Sequence, residues 1–325
     1  MVALAFLCAP IPALAQEPAE ASSDEVVANL AAGRVIILVV KQAILIATAE
    51  NPIEAETHPP IPVSLPPGRR AGIMLGAVDW FSVTTQQTLV RLDRDLPQFH
   101  ARMIPQDPRL KQPQEGTEAT DIQAIGMGVF ERLHDVAASL HNKMNFAPDE
   151  PIAELILADY IEGYGPEVWQ ALYPIQQDLE RGDYWNTRVL HPRYFQFWPP
   201  EKGEPRTLVE LSYPPDDKTP ALLELLRQGD PRLQKIRESD PKLSQVADLI
   251  LHGQSTKAPA ADAIQFLRAA LAATTPPNSR QTLAAVGELT GFEWILPPPP
   301  ERARPTKKPP RPEGAPTLAK PPSDP

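Results

Sequence analysis

Arg34-Val-Ile-Ile-Leu-Val-Val-Lys41-Gln-Ala43-Ile-Leu-Ile-Ala-Thr-Ala49 is the stretch on which the fold of this chain turns. It holds two apolar runs of β-branched and aliphatic residues, joined by Lys41-Gln42. A half-exposed strand alternates apolar and polar residues, whereas a strand covered on both faces reads as a continuous apolar run. The stretch therefore reads as a buried hairpin with a tight basic turn.

What precedes the hairpin bears on compartment. Residues 1–15 read as a signal peptide, because Val2–Leu14 is short and apolar and Ala13-Leu14-Ala15 gives a small-x-small cleavage site before Gln16. No Lys or Arg stands ahead of the apolar run, which departs from the usual pattern. Pro10 and Pro12 interrupt a segment already shorter than the roughly 20 residues a membrane helix needs. The expectation is a secreted or periplasmic protein with no integral membrane span. Cys8, the single cysteine, lies inside the signal. Cleavage at Ala15 would leave a mature chain without disulfides, cysteine nucleophiles or thiolate metal ligands.

The chain has 325 residues, 42% of them hydrophobic, which is enough for a sizeable core. Net charge is -10, and basic residues gather only near the C-terminus. Phosphate recognition needs a concentrated basic surface, so no nucleic-acid partner is expected. The 41 prolines exceed average usage of about 5% more than twofold and mark the connections and the tail.

Residues 16–32 read as a polar leader, with a short helix expected from Glu25 to Ala32. After the hairpin, the proline-dense stretch 51–68 reads as a surface loop. Arg70–Ala77 reads as a third strand running into a helix near Asp79, and helical spacing predicts a long helix from Asp121 to Met144. Glu154–Ile161 and Val168–Tyr173 form a second hairpin. Residues 183–213 are rich in aromatics and carry extended runs at His191–Trp198 and Arg206–Tyr213. Helices are expected at 219–228, 230–238 and 240–252, the last two capped by Asp230-Pro231 and Asp240-Pro241. Further helices are expected at Ala260–Ala273 and Ser279–Thr290, with Phe292–Leu296 as a closing strand. Residues 297–325 combine prolines with Arg302, Arg304, Lys307, Lys308 and Arg311, and read as a disordered or polyproline-like basic tail.

This order resembles the proteasome β-subunit type of N-terminal-nucleophile (Ntn) hydrolase fold. Four local stretches carry the resemblance: Lys41-Gln-Ala-Ile-Leu-Ile-Ala47, Gly72-Ile-Met-Leu-Gly-Ala-Val-Asp79, Glu154-Leu-Ile-Leu-Ala-Asp-Tyr-Ile-Glu-Gly-Tyr-Gly-Pro166, and Ala260-Ala-Asp-Ala-Ile-Gln-Phe-Leu-Arg-Ala-Ala-Leu271. It implies an α+β domain over residues 33–296, a four-layer αββα sandwich of two mainly antiparallel sheets between helical layers. Residues 174–258 fit the pattern poorly and read as an insertion. The family's nucleophile, a hydroxyl or thiol on the first residue of the first strand, uses its own α-amine as base. Carried onto this chain, that residue falls at Gly33 or Arg34, the tuning aspartate at Ala49, and the lysine at Arg69 or Arg70. None is the required type. Thr48 and Glu50 flank the aspartate position and are the weak catalytic candidates, though a one-residue shift on a strand points a side chain the opposite way. Ser22 and Ser23 lie about ten residues ahead of the strand.

Other chemistries find less support. His134 and His141 are seven apart on one helix, about 10 Å, too far to share a metal. Asp121, Glu131 and Asp135 read as the solvated face of that helix. Asp216-Asp217-Lys218 lacks calcium-loop spacing. No nucleophile elbow, phosphate loop or zinc-protease pattern occurs, and no cofactor is expected. The expected function is that of an exported proteasome-like domain without peptidase activity, acting by binding or assembly, with self-association or a protein partner. Two alternatives stay open: an unconventional Ntn-type peptide or amide hydrolase, and a cell-envelope structural protein held by its basic tail.

Overall fold

A computed structural model describes residues 34–49, 62–65, 70–76, 123, 125–131, 133–134, 151–161, 165–179, 185–200, 207–212, 219–276 and 279–298. The helices expected at 25–32 and from Asp79, and the tail beyond 298, lie outside them.

The hairpin forms as its sequence requires. Strands β1 (Arg34–Val40) and β2 (Ala43–Ala49) pair antiparallel without a break from Arg34↔Ala49 to Val40↔Ala43, and every residue of both is buried. Gln42 makes the turn with φ of 64°, the left-handed region. On the other flank of β1 lies β9 (Leu208–Ser212). Beyond β2 come β10 (Gln281–Gly287) and β11 (Gly291–Leu296), giving the order β11-β10-β2-β1-β9. The second sheet is built from β3 (Val63–Leu65), β4 (Arg70–Gly76), β5 (Pro151–Ile161), β6 (Gly165–Leu179) and β7 (Trp185–Val189), with β8 (Arg193–Trp198) also on β6. All these strand pairs are antiparallel. The class is mixed α+β.

The two-residue period of a strand sends alternate side chains to opposite faces, and the core follows that rule. Ile36, Leu38, Val40, Leu45 and Ala47 point to one side of the first sheet, where they meet Leu222, Leu226, Leu233, Val246, Phe266 and Leu271 from the helices. Val35, Ile37, Val39, Ile44 and Ile46 point to the other side and pack with Ile73, Ile156, Ala158 and Val168 of the second sheet. The hairpin is apolar throughout because each of its faces is someone's core.

The helices that cover the first sheet are Leu222–Gln228, Pro231–Ser239, Pro241–Leu251 and Ala260–Thr274. Both expected Asp-Pro caps are present: Asp230 accepts from the Arg232 amide at 2.9 Å and Asp240 from the Lys242 amide at 2.8 Å. The Arg232 side chain bonds back to Asp230 and, as the largest influence, lowers its pKa. Asp230→Ala should cost about 1–2 kcal/mol, the usual worth of such a cap. A lowered carboxylate pKa stabilises above the unfolded value of about 3.9 and loses that contribution as pH falls through the folded value. Urea titrations should therefore show the cost in full at pH 7 and shrinking below about pH 4.

Three sequence expectations need correction. Residues 279–290 were expected as a helix, but Gln281–Gly287 is strand β10, paired with β2 from Gln281↔Ala49 to Gly287↔Ala43 and with β11 on its other side. Ala284 and Ala285 favour a helix in isolation, yet two strand partners and burial on both faces outweigh that preference. The loop 51–68 contains the short strand Val63–Leu65, which has no proline and pairs with β4 from an edge position. Trp185–Val189 forms a strand where none was singled out. Residues 208–251 supply β9 to the flank of β1 and three of the helices on the first sheet. Among the described residues no helix is long and apolar enough to cross a membrane.

Helical backbone also runs through 125–131, inside the span expected as a long helix. It is tied to the second sheet by polar contacts. Tyr173 Oη donates to the Gly126 carbonyl at 3.1 Å, and Tyr194 Oη to the Gln123 carbonyl at 3.2 Å. Gly126 permits this, since a Cβ there would run into the Tyr194 ring. His191 stacks on Phe130 with ring centroids 4.7 Å apart.

Candidate functional site

The positions suggested by the resemblance can be followed one by one. Arg34 opens β1 opposite Ala49 of β2 and Ser212 of β9. In step with Ile36 and Leu38, its side chain belongs to the helix-covered face. It is 6% exposed and donates from Nη2 to the Thr219 carbonyl at 3.0 Å. Its Nε has no partner among the described residues.

Beside it stands a group that the sequence did not flag. Glu210 of β9 accepts the amides of Leu222 and Leu223 at 2.6 and 3.1 Å. Those amides open the Leu222–Gln228 helix, whose own N-cap residue, Ala221, offers no side-chain acceptor. A strand carboxylate thus supplies the missing cap. Burial pushes the Glu210 carboxyl above its ordinary range, while the two amides and the Arg34 charge pull it back down. Arg34, Glu210 and Thr219 therefore fasten the chain between β9 and its following helix onto the start of β1.

Arg70 lies elsewhere. It opens β4 opposite Asp159 of β5 and forms an ion pair with it through Nε and Nη2. Its neighbour Ala71 and then Ile73 face the first sheet, so Arg70 is out of step with them and faces away. Arg34 and Arg70 leave opposite outer faces of the paired sheets, which pack about 10 Å apart. They do not converge.

Thr48 is in step with Ile44 and Ile46 and points between the sheets, 1% exposed. Its hydroxyl meets that of Thr282 at 2.6 Å, directly across the β2–β10 ladder. Glu50, Gly33, Arg69, Ser22 and Ser23 lie outside the described residues, as do Asp121, Asp135, His141 and Asp216–Lys218. His134 and Glu131 are exposed on the helix, and no group of three metal-ligating side chains occurs among the described residues. Of the aromatic group, Phe197 and Trp198 pack against the inter-sheet core, while Phe195 is exposed.

One further buried acid went unremarked in the sequence. Glu154 and Gln170 lie on positions in step with Ile156 and Val168, facing the first sheet. Gln170 Nε2 donates to Glu154 Oε2 at 2.7 Å, and burial raises the Glu154 pKa against that bond. An acid whose pKa is raised on folding stabilises most below its unfolded value and loses that contribution as pH rises through the folded one. Glu154→Gln should accordingly raise the thermal midpoint at pH 7 and leave it unchanged near pH 4, as scanning calorimetry would show. The detectable signal was an acid heading a run of Leu, Ile and Ala that a strand must bury.

The described residues thus hold two sequestered polar pairs and one anchored arginine. Comparison with known proteins adds no second line: no protein-family model matches the chain, and no curated protein matches it significantly.

Proposed function

We propose that this chain is an exported, proteasome β-subunit-like domain that works without peptidase activity, as a binding or assembly protein. Arg34 carries the reading. In the resembled family the start of the first strand presents a nucleophile; here it holds a buried guanidinium engaged with Thr219 and balancing Glu210. A guanidinium neither attacks a carbonyl nor takes up a proton at neutral pH.

The connectivity supports the four-layer αββα reading. The opening hairpin and the last two strands share one sheet with β9, and β3 to β8 make the other. Helices from 222–274 cover the outer side of the first sheet. The helix at 125–131 contacts the second sheet through Tyr173 and Tyr194. By the resemblance, such helical layers stack against sister subunits, so self-association is the expected mode of action. Thr48, buried and bonded to Thr282, weighs against the hydrolase alternative.

Sedimentation of the purified exported protein, with N-terminal sequencing of the same sample, tests the proposal. Expected are a mature chain beginning at Gln16 and an oligomer that persists at micromolar concentration. A monomer at all concentrations, together with an N-terminal Ser or Thr, would remove it.

A further inference from the structure

On the second sheet one row of side chains runs outward from beneath the first. Glu154 of β5 lies directly opposite Leu172 of β6, which lies directly opposite Arg193 of β8. Residues directly opposed in a ladder share a face. Their alternates Tyr173 and Tyr194 bond to the Gly126 and Gln123 carbonyls on the outer side, so this row faces the first sheet. In the neighbouring row Gln170 lies opposite Phe195. Exposure climbs along both rows. Glu154 is 8% and Gln170 7% exposed, where β5 packs against β2 and β10. Leu172 is half-buried, Arg193 is exposed and Phe195 is 46% exposed.

The two charged groups of this shelf do not pair with each other. Across three strands their Cα atoms stand about 10 Å apart. Gln170 holds one Glu154 oxygen, Oε2, and the other has no partner among the described residues. Arg193 likewise makes no hydrogen bond or ion pair among them. A sequestered carboxyl without a cation is costly, and burial raises the Glu154 pKa with no positive group to oppose the rise.

We propose that this shelf binds a free α-amino acid with an apolar side chain, its ammonium on Glu154 Oε1, its carboxylate on the Arg193 guanidinium and its side chain over Leu172 and Phe195. An ammonium supplies both the donor and the charge that Glu154 lacks. A guanidinium fork matches a carboxylate through two parallel hydrogen bonds. Phe195, an exposed aromatic one row from the half-buried Leu172, offers the apolar contact that an aliphatic or aromatic side chain requires. A ligand carrying only one of the two charges would leave Glu154 or Arg193 unanswered. The site gives the binding role proposed above a ligand and rests on that role, but it does not depend on oligomeric state.

Calorimetry on the purified full chain, with L-leucine, N-acetyl-L-leucine and L-leucinamide as probes, tests the site. L-Leucine should bind saturably, and blocking either its amine or its carboxyl should weaken binding at least tenfold. Arg193→Gln, a change at an exposed position, should erase the preference for L-leucine over the amide and keep the preference over the acetylated form. Glu154→Gln should do the reverse. No heat from L-leucine at millimolar concentration would overturn the proposal. So would equal binding of the blocked forms, or a selectivity unchanged in Arg193→Gln. None of these results bears on the oligomer expected above, which sedimentation reads separately.

Discussion

Replacing Phe266 by alanine is expected to lower the unfolding free energy by about 3–5 kcal/mol. Phe266 lies fully buried on the Ala260–Thr274 helix, in the same cluster as Leu38, Leu45 and Leu283 of the first sheet and Leu226 and Val246 of the neighbouring helices. Alanine there removes apolar contact and leaves a cavity between layers that can close only in part, since sheet and helices each have other partners. Domains are stable by only about 5–15 kcal/mol in total, so the variant should sit near the edge of folding. Chemical denaturation should show a lowered midpoint at unchanged slope. A loss below about 1 kcal/mol would mean that the helix is not seated on the hairpin.

Arg34→Ala is the second large effect, expected at roughly 2–3 kcal/mol, the worth of a charge-assisted hydrogen bond with its partner left behind. It removes the bond to Thr219 and a positive charge that lowers the pKa of Glu210, which stays buried at the helix start. The sign of its pH dependence follows from Glu210. Loss of Arg34 lets burial raise the Glu210 pKa further. A raised acid is least costly below its unfolded value of about 4.3 and most costly once ionised. The variant should thus be most impaired at pH 7 and recover toward wild type near pH 4. An arginine that merely replaces a lost nucleophile on the surface would show no such profile, and Arg34→Ala would then be neutral at both pH values.

Much of the architecture was legible because the chain signals it locally. The hairpin's unbroken apolar run demanded cover on both faces, and the Asp-Pro pairs at Asp230 and Asp240 marked two helix starts within a residue. What escaped was decided by partners distant in sequence. Gln281–Gly287 carries helix-favouring alanines, and only the flanking β2 and β11 make it a strand. The surroundings of the singled-out residues were not legible in the sequence. Arg34 stood out as the wrong residue for a nucleophile. Its work became visible only when Glu210 and Thr219 arrived from more than 170 residues away. Thr48, singled out by proximity to Ala49, turns out to face Thr282, a pairing fixed by the β2–β10 register.

The most direct test is intact-mass spectrometry of the purified protein after incubation with an electrophilic peptide that acylates hydroxyl nucleophiles. With an arginine bound into the start of β1, the expected spectrum shows the unmodified mass alone. A single stoichiometric adduct, mapped to Thr48 or to a serine at a processed N-terminus, would contradict the central claim that this domain does no peptide-bond chemistry.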